Sequence, residues 1–516
     1  MSIATVEEAP ARVLAGWDPF PGLGPGLDLG DCDAATARLA TQRMLSPDFE
    51  DWTVQAARVG YCAHPVRLRG HSDRVDTTTG EVLHSYSSAD EPFGVTYVRC
   101  GNRRASACPS YSRLYAADTF HLIRAGVAGG KGVPASVGDN PLVFATLTAP
   151  SFGPVHGTRG NHRACRPYAA EARCRHGRAA TCHTRHEEGD PLLGQPLCVE
   201  CYEYTGHVVW QWWAPELWRR FAIALRRLVA HHLGVTETKL RKSATVQYAK
   251  VAEYQRRGLI HFHALIRLDG PATDQGFASA PEGFAAADLA DLVHAAAKAV
   301  HYPALPVHDG DKARVLRFGR QVDARPVRVG HRTDDPGRAL APEQVAGYLA
   351  KYATKSAADT VEQAGGNPHL RRLARTANEL ADRVEDDWVR AGLGADLKDA
   401  PYGLLGKWAT ALGFRGHFAT KSRRYAVTLG ALRRARRRAQ ALITDATRTG
   451  QRIDLAAMEA QLLADDDQDQ TSIVIGQWAY AGTGWDTDGD AQLAKAAAAR
   501  AREYDQVRAE ERGRES

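Results

Sequence analysis

The chain has 516 residues, 44% of them hydrophobic and 24% charged, with a formal net charge of +6. This is a globular composition with room for roughly three domains. It contains no apolar run of about 18 residues, so no membrane-spanning helix is expected. Its start carries Glu7 and Glu8 and lacks a basic-then-apolar leader, which predicts a cytoplasmic location. A pI near 8.8 is compatible with a nucleic-acid partner.

Residues 1–90 show little pattern, and 19–30 are rich in Gly and Pro, as in a linker. Residues 95–99 predict a short strand, 111–125 a helix, and 142–148 a buried strand stopped by Pro150. Residues 156–206 are rich in His, Cys, Arg and Gly with little apolar periodicity, as in an inserted module held by something other than a core. An amphipathic helix is predicted over 210–233, with Leu217, Phe221, Leu225 and Leu228 near helical spacing. Strands over 244–253 and 259–268 flank the turn Gln255-Arg256-Arg257-Gly258, and helices follow over 286–300 and 342–356. The remainder, 361–516, is expected to be mostly helical, charged and solvated at its end. It carries a basic run at 433–438 and an acidic one at 465–469.

Gly258-Leu259-Ile260-His261-Phe262-His263 places two imidazoles on one face of a strand and Phe262 on the other, because strands alternate faces. With the hairpin centred on Arg257, Glu253 lies across from His261 and supplies a carboxylate to the same place, with Gln255 the alternative. Two nitrogens and one carboxylate oxygen, with open positions, suit Mg²⁺ or Mn²⁺ holding a phosphate. In the predicted 342–356 helix, Tyr348 and Tyr352 are i, i+4 neighbours, and so are Lys351 and Lys355. A nearby ammonium favours the phenolate and neutralises a phosphate.

The nine cysteines are odd in number and cluster in metal-type spacings. Cys182-x3-His186 and Cys198-x2-Cys201 together supply four ligands for one structural Zn²⁺, with Cys174 or His176 as a replacement. Such a module would present Arg163, Arg166, Arg173 and Arg178 to phosphates. Arg433, Arg434, Arg436, Arg437 and Arg438 are candidate DNA contacts on a helix. No phosphate-loop motif is present, so strand separation would require a host helicase.

Taken together, these motifs resemble the HUH endonucleases of the rolling-circle replication initiator superfamily, closest to the initiators of actinobacterial plasmids and integrative elements. Phe144-Ala145-Thr146-Leu147-Thr148 resembles the family's first motif, His261-Phe262-His263 the second, and Tyr348-x-x-Lys351-Tyr352-x-x-Lys355 the two-tyrosine form of the third. The segments 250–258 and 416–425 also resemble this family, and the likeness spans roughly 95–430.

The resemblance implies an α+β fold with a central antiparallel sheet flanked by helices. The nuclease domain would lie over 91–360 with the zinc-type insert at 156–206 inside it, between an N-terminal region 1–90 and a helical region 361–516. It implies metal-dependent nicking and rejoining of plasmid origin DNA, single-stranded at the nick. Tyr352 would attack first to give a 5′-phosphotyrosine and a 3′-OH for host polymerase, and Tyr348 would attack later. Relatives often continue as Cys-Pro-x-Cys where this chain has Cys108-Pro109-Ser110-Tyr111, so a Cys100/Cys108 metal site would need Cys62 or His64. The alternatives are a two-tyrosine transposase or relaxase, and a non-catalytic zinc-containing repressor.

Overall fold

The computed structural model describes residues 27–158, 164–166, 172–274, 276–327, 346–350, 367–393, 396–449 and 472–514. Helices α1 (Ala34–Met44) and α2 (Phe49–Arg58) precede strands β1 (Val66–Asp76), β2 (Val82–Ser87) and β3 (Thr96–Val98), and α3 (Pro109–Ala128) leads to β4 (Leu142–Leu147). After the cysteine-rich stretch come α4 (Tyr204–His232), β5 (Thr245–Tyr254), β6 (Ile260–Asp269) and α5 (Ala286–Ala299). Short strands β7 (His301–Ala304), β8 (Arg314–Arg317) and β9 (Val322–Pro326) follow. Then come α6 (Pro368–Arg390), β10 (Ala419–Lys421), α7 (Leu429–Thr449), β11 (Ser472–Thr483) and α8 (Asp488–Arg514).

The chain divides into two units, Thr119–Thr428 and a second made of everything before and after it. In the second unit β11 pairs antiparallel with β1 along its whole length, from Val66 opposite Thr483 to Asp76 opposite Ser472. Its core joins Trp52, Cys62, Tyr97 and Cys108 to Trp485, Leu493 and Ala497. The C-terminal region is thus not simply helical and solvated: its β-branched run Ile473-Val474-Ile475 enters a sheet with a strand some four hundred residues earlier. Residues 34–87, unreadable by pattern, form two helices and two strands of this unit.

The Thr119–Thr428 unit carries a five-stranded sheet in the order β10-β5-β6-β4-β9, antiparallel throughout. Central β6 is buried on both faces along nearly its whole length: Ile260, Phe262, Ala264, Ile266 and Leu268 join the core, and on the other face Arg267 and Asp269 are buried as an ion pair. Helix α4 supplies Trp210, Trp212, Leu217, Phe221 and Leu225 to that core. It starts six residues before the predicted helix, because Tyr204 and His207 find buried partners far along the chain. The α+β expectation and the antiparallel sheet carrying both the 142–148 strand and the histidine strand agree with this architecture.

Candidate functional site

Strands β5 and β6 pair in the register that sets Glu253 opposite His261. Phe262 is fully buried and packs on Trp218, so His261 and His263 turn to the opposite face. Three ligand atoms meet there: Glu253 Oε2 lies 2.9 Å from His261 Nε2 and 3.1 Å from His263 Nε2, and the two nitrogens are 3.1 Å apart. Gln255 is turned away, accepting from Arg257 Nε at 2.7 Å. Burial pushes His263 below its usual pKa and keeps it neutral, the form that binds a cation. Burial also works to raise Glu253, but its bonds to His261 and His263 outweigh that and hold it below the usual glutamate value.

Neighbouring strands orient these groups. On β4, Thr146 stands opposite His263 and its hydroxyl lies 3.0 Å from Nδ1, which leaves Nε2 to face the cluster. Phe144 stacks on the His263 ring at 5.6 Å and meets Tyr348 edge-on at 5.9 Å. Residues 346–350 are helical, with Ala346, Leu349 and Ala350 buried and Tyr348 partly exposed. The Tyr348 hydroxyl lies 3.2 Å from His263 Nε2. Tyr352, Lys351 and Lys355 lie outside the described residues.

A buried polar frame that sequence reading missed holds the turn between the two strands. Gln211 of α4 donates to Gly258 O at 2.8 Å and accepts from Ile260 N at 3.0 Å, bracketing Leu259, two residues before the histidine motif. His207 Nε2 also lies 3.2 Å from Gly258 O, with its Nδ1 2.9 Å from the Tyr202 hydroxyl. His369 repeats the arrangement, with Nε2 3.1 Å from Arg257 O and Nδ1 3.2 Å from the Tyr204 hydroxyl. Burial holds both imidazoles neutral, His369 down to about 4. Gly258 has φ +77°, and a Cβ there would meet Leu370 Cδ2 at 2.7 Å, so the turn needs glycine for conformation and for space. No spacing in the sequence marks Gln211 or His369; Thr146 alone had a signal, as a hydroxyl in the motif strand.

The cysteine-rich insert departs from the single four-ligand site expected. Cys182 and His186 gather with His156 and Cys165, whereas Cys198 and Cys201 gather with Cys174 and His176. Two short antiparallel bridges, Arg166 with Cys182 and Arg173 with Ala179, fold the segment so that ligands adjacent in sequence part company. Of its arginines, Arg166 donates to Val155 O, Arg173 donates to Gly177 O, Arg178 approaches Glu200 at 3.8 Å, and Arg163 lies outside the described residues. In the other unit Cys62 joins Cys100 and Cys108, with its Sγ 3.7 Å from that of Cys108; His64 is not part of the group.

Part of the basic run on α7 is engaged within the protein. Arg436 is ion-paired with Asp118, and Arg433 donates to the Tyr111 hydroxyl at 2.7 Å. Arg438 is half-buried, while Arg434 and Arg437 are exposed. Among the described residues no helix is long and apolar enough to cross a membrane.

No solved structure matches this chain. A family model described as replication initiator protein, pSAM2 (RepSA) matches residues 48–499. The chain is also similar to a replication initiator protein of Streptomyces ambofaciens, 41% identical over 455 residues that span 87% of this chain and 90% of the relative. The likeness runs through the whole of the Thr119–Thr428 unit and its histidine–glutamate cluster, and the chain belongs to the pSAM2-type family of replication initiator proteins.

Proposed function

We propose that this initiator cuts one strand of its plasmid-type origin with a tyrosine, keeps the 5′ end, and later rejoins it. One observation carries the reading: Glu253 Oε2, His261 Nε2 and His263 Nε2 converge at about 3 Å beside the Tyr348 hydroxyl. An oxygen and two imidazole nitrogens at this spacing fit a divalent cation such as Mg²⁺ or Mn²⁺, which when bound would polarise the scissile phosphodiester.

The chain's own residues account for the rest of the step. The Tyr352 oxygen gives up its proton and bonds to phosphorus. The bond from phosphorus to the 3′ oxygen breaks, that oxygen takes up a proton, and the 5′ phosphate stays on the tyrosine. Lys351 and Lys355, each three residues after a tyrosine, favour the phenolate and offset phosphate charge. The 3′-OH primes a host polymerase while a host helicase parts the strands. After one round Tyr348 repeats the attack on the regenerated origin, and a 3′-OH reseals the displaced strand. Each transfer exchanges one phosphodiester for another, so no nucleoside triphosphate is consumed. A second reading exchanges the two tyrosines, and the 3.2 Å contact of Tyr348 with His263 favours it.

The test is a denaturing gel of the protein incubated with Mn²⁺ and labelled single-stranded DNA tiling its own replicon. The expected result is a metal-dependent covalent adduct on one tile, lost in Tyr352→Phe. Loss in Tyr348→Phe alone reverses the order of the tyrosines. No adduct on any tile from folded protein refutes the nuclease and leaves a DNA-binding regulator. An adduct at element ends instead of an origin indicates a transposase or relaxase.

A further inference from the structure

Between 156 and 200, few ordinary core residues are buried. Among the described residues there, the buried ones are Cys165, His186, Leu193, Gly194, Pro196 and Cys198. So little apolar surface cannot offset the entropy of ordering some forty residues. Something else holds this segment, and its cysteines and histidines are grouped to do so.

The first group is His156, Cys165, Cys182 and His186, whose ligand atoms all lie within 4.8 Å of one another. His186 Nε2 is 3.1 Å from His156 Nδ1 and 3.3 Å from Cys182 Sγ. Its other nitrogen lies 2.6 Å from the Asp190 carboxylate, the arrangement that orients a metal-binding imidazole and raises its basicity. Gly157 N donates to Cys165 Sγ at 3.3 Å. The second group is Cys174, His176, Cys198 and Cys201, again within 4.8 Å. His176 Nδ1 is 3.2 Å from Cys201 Sγ and 3.6 Å from Cys198 Sγ. The amides of His176 and Arg178 donate to the Cys174 sulfur, and that of Cys201 to the Cys198 sulfur, which is how chain turns cradle bound thiolates.

Bonds of about 2.0–2.3 Å to nitrogen and sulfur in a tetrahedron put its corners about 3.3–3.8 Å apart. The close contacts in both groups are near that size, and each group offers four candidate ligands, with the Glu200 carboxylate 3.2 Å from Cys198 Sγ beside the second. We infer that the insert is a two-zinc structural module, with one ion at His156, Cys165, Cys182 and His186 and the other at Cys174, His176, Cys198 and Cys201. The module abuts the nuclease hairpin: a Cβ on Gly194, at φ +84°, would meet Arg256 C at 2.5 Å. The zinc ions thereby fix a surface that supports the turn before His261.

The test is elemental analysis of the full chain after exhaustive removal of loosely bound metal. Cys100→Ala is introduced to disable the three-cysteine group of the other unit, with circular dichroism checking the fold. Two zinc ions per chain are expected, and one or none overturns the inference. Adding Cys182→Ser or Cys198→Ser should each remove at least one ion, and the pair together both. A single mixed site of Cys182, His186, Cys198 and Cys201 would instead start at one ion and lose that same ion in either variant. Where Cys100→Ala disturbs folding, Cys62→Ser serves the same purpose. The readout is metal content and does not depend on DNA cleavage.

Discussion

His263 shows how much one side chain depends on its neighbours. Its Nε2 faces Glu253 and His261 only because the Thr146 hydroxyl takes up Nδ1 and Phe144 stacks on the ring. Thr146→Val keeps the shape and removes that bond. Groups that orient a metal-binding histidine typically change affinity 10–100-fold, so Mn²⁺ titration should show at least about tenfold weaker binding with the fold unchanged. Unaltered affinity would leave Thr146 with a packing role only. Under the proposed reading His261→Ala removes one of three cation donors; it should abolish the covalent adduct and leave duplex-origin binding within about twofold. Equal loss of both activities would indicate a misfolded variant instead.

At the scale of elements, the β5–β6 hairpin is aimed by what surrounds its turn. Helix α4 brackets it through Gln211 and His207, and α6 contributes His369. This frame should be sensitive to acid. An unfolded histidine titrates near 6.5, whereas burial holds His369 at about 4. Between those values the unfolded chain binds more protons, so stability falls as pH falls; it is fully present above about 6.5 and lost by about 4. The size is about 2 kcal/mol by pH 5. His369→Gln, compared with the unchanged chain by urea denaturation at pH 7 and pH 5, should show a smaller drop by that amount. Identical drops would remove His369 from the account.

The hairpin itself was legible in the sequence, because alternation around Arg257 fixes which residues face each other across a local turn. The frame was not, because Gln211 and His369 reach it from 47 and 112 residues away along the chain. Polar residues buried by such distant partners look in sequence like any solvated ones. The grouping of the insert's cysteines and histidines was hidden for the opposite reason: local spacing pairs Cys182-x3-His186 with Cys198-x2-Cys201, whereas the bridges at Arg166 and Arg173 fold each pair toward different partners.

At the scale of the molecule, the two ends of the chain build one unit around an aromatic cluster. Trp485 packs on Tyr97 at 4.7 Å and on Trp52 at 5.3 Å, and its Nε1 donates to Cys62 O at 2.9 Å. Trp485→Ala leaves a cavity and orphans that carbonyl, a cost of about 3–5 kcal/mol. Hydrogen exchange should show lost protection across β1, β2 and α2 while β5 and β6 keep theirs. Retained protection in β1 would mean that the N-terminal half holds without its C-terminal partner.

The sequence by itself determined the histidine strand, the glutamate across from it, and a cysteine-rich insert too poor in apolar residues to fold on a core. Each of these follows from strand alternation or composition within a few tens of residues. Only the tertiary structure decided that β11 pairs with β1, that Arg436 is ion-paired with Asp118, that Cys62 joins Cys100 and Cys108, and that the insert's ligands form two groups. These depend on contacts between residues far apart in the chain, where the partner's identity is set by packing and leaves no periodic trace in either segment.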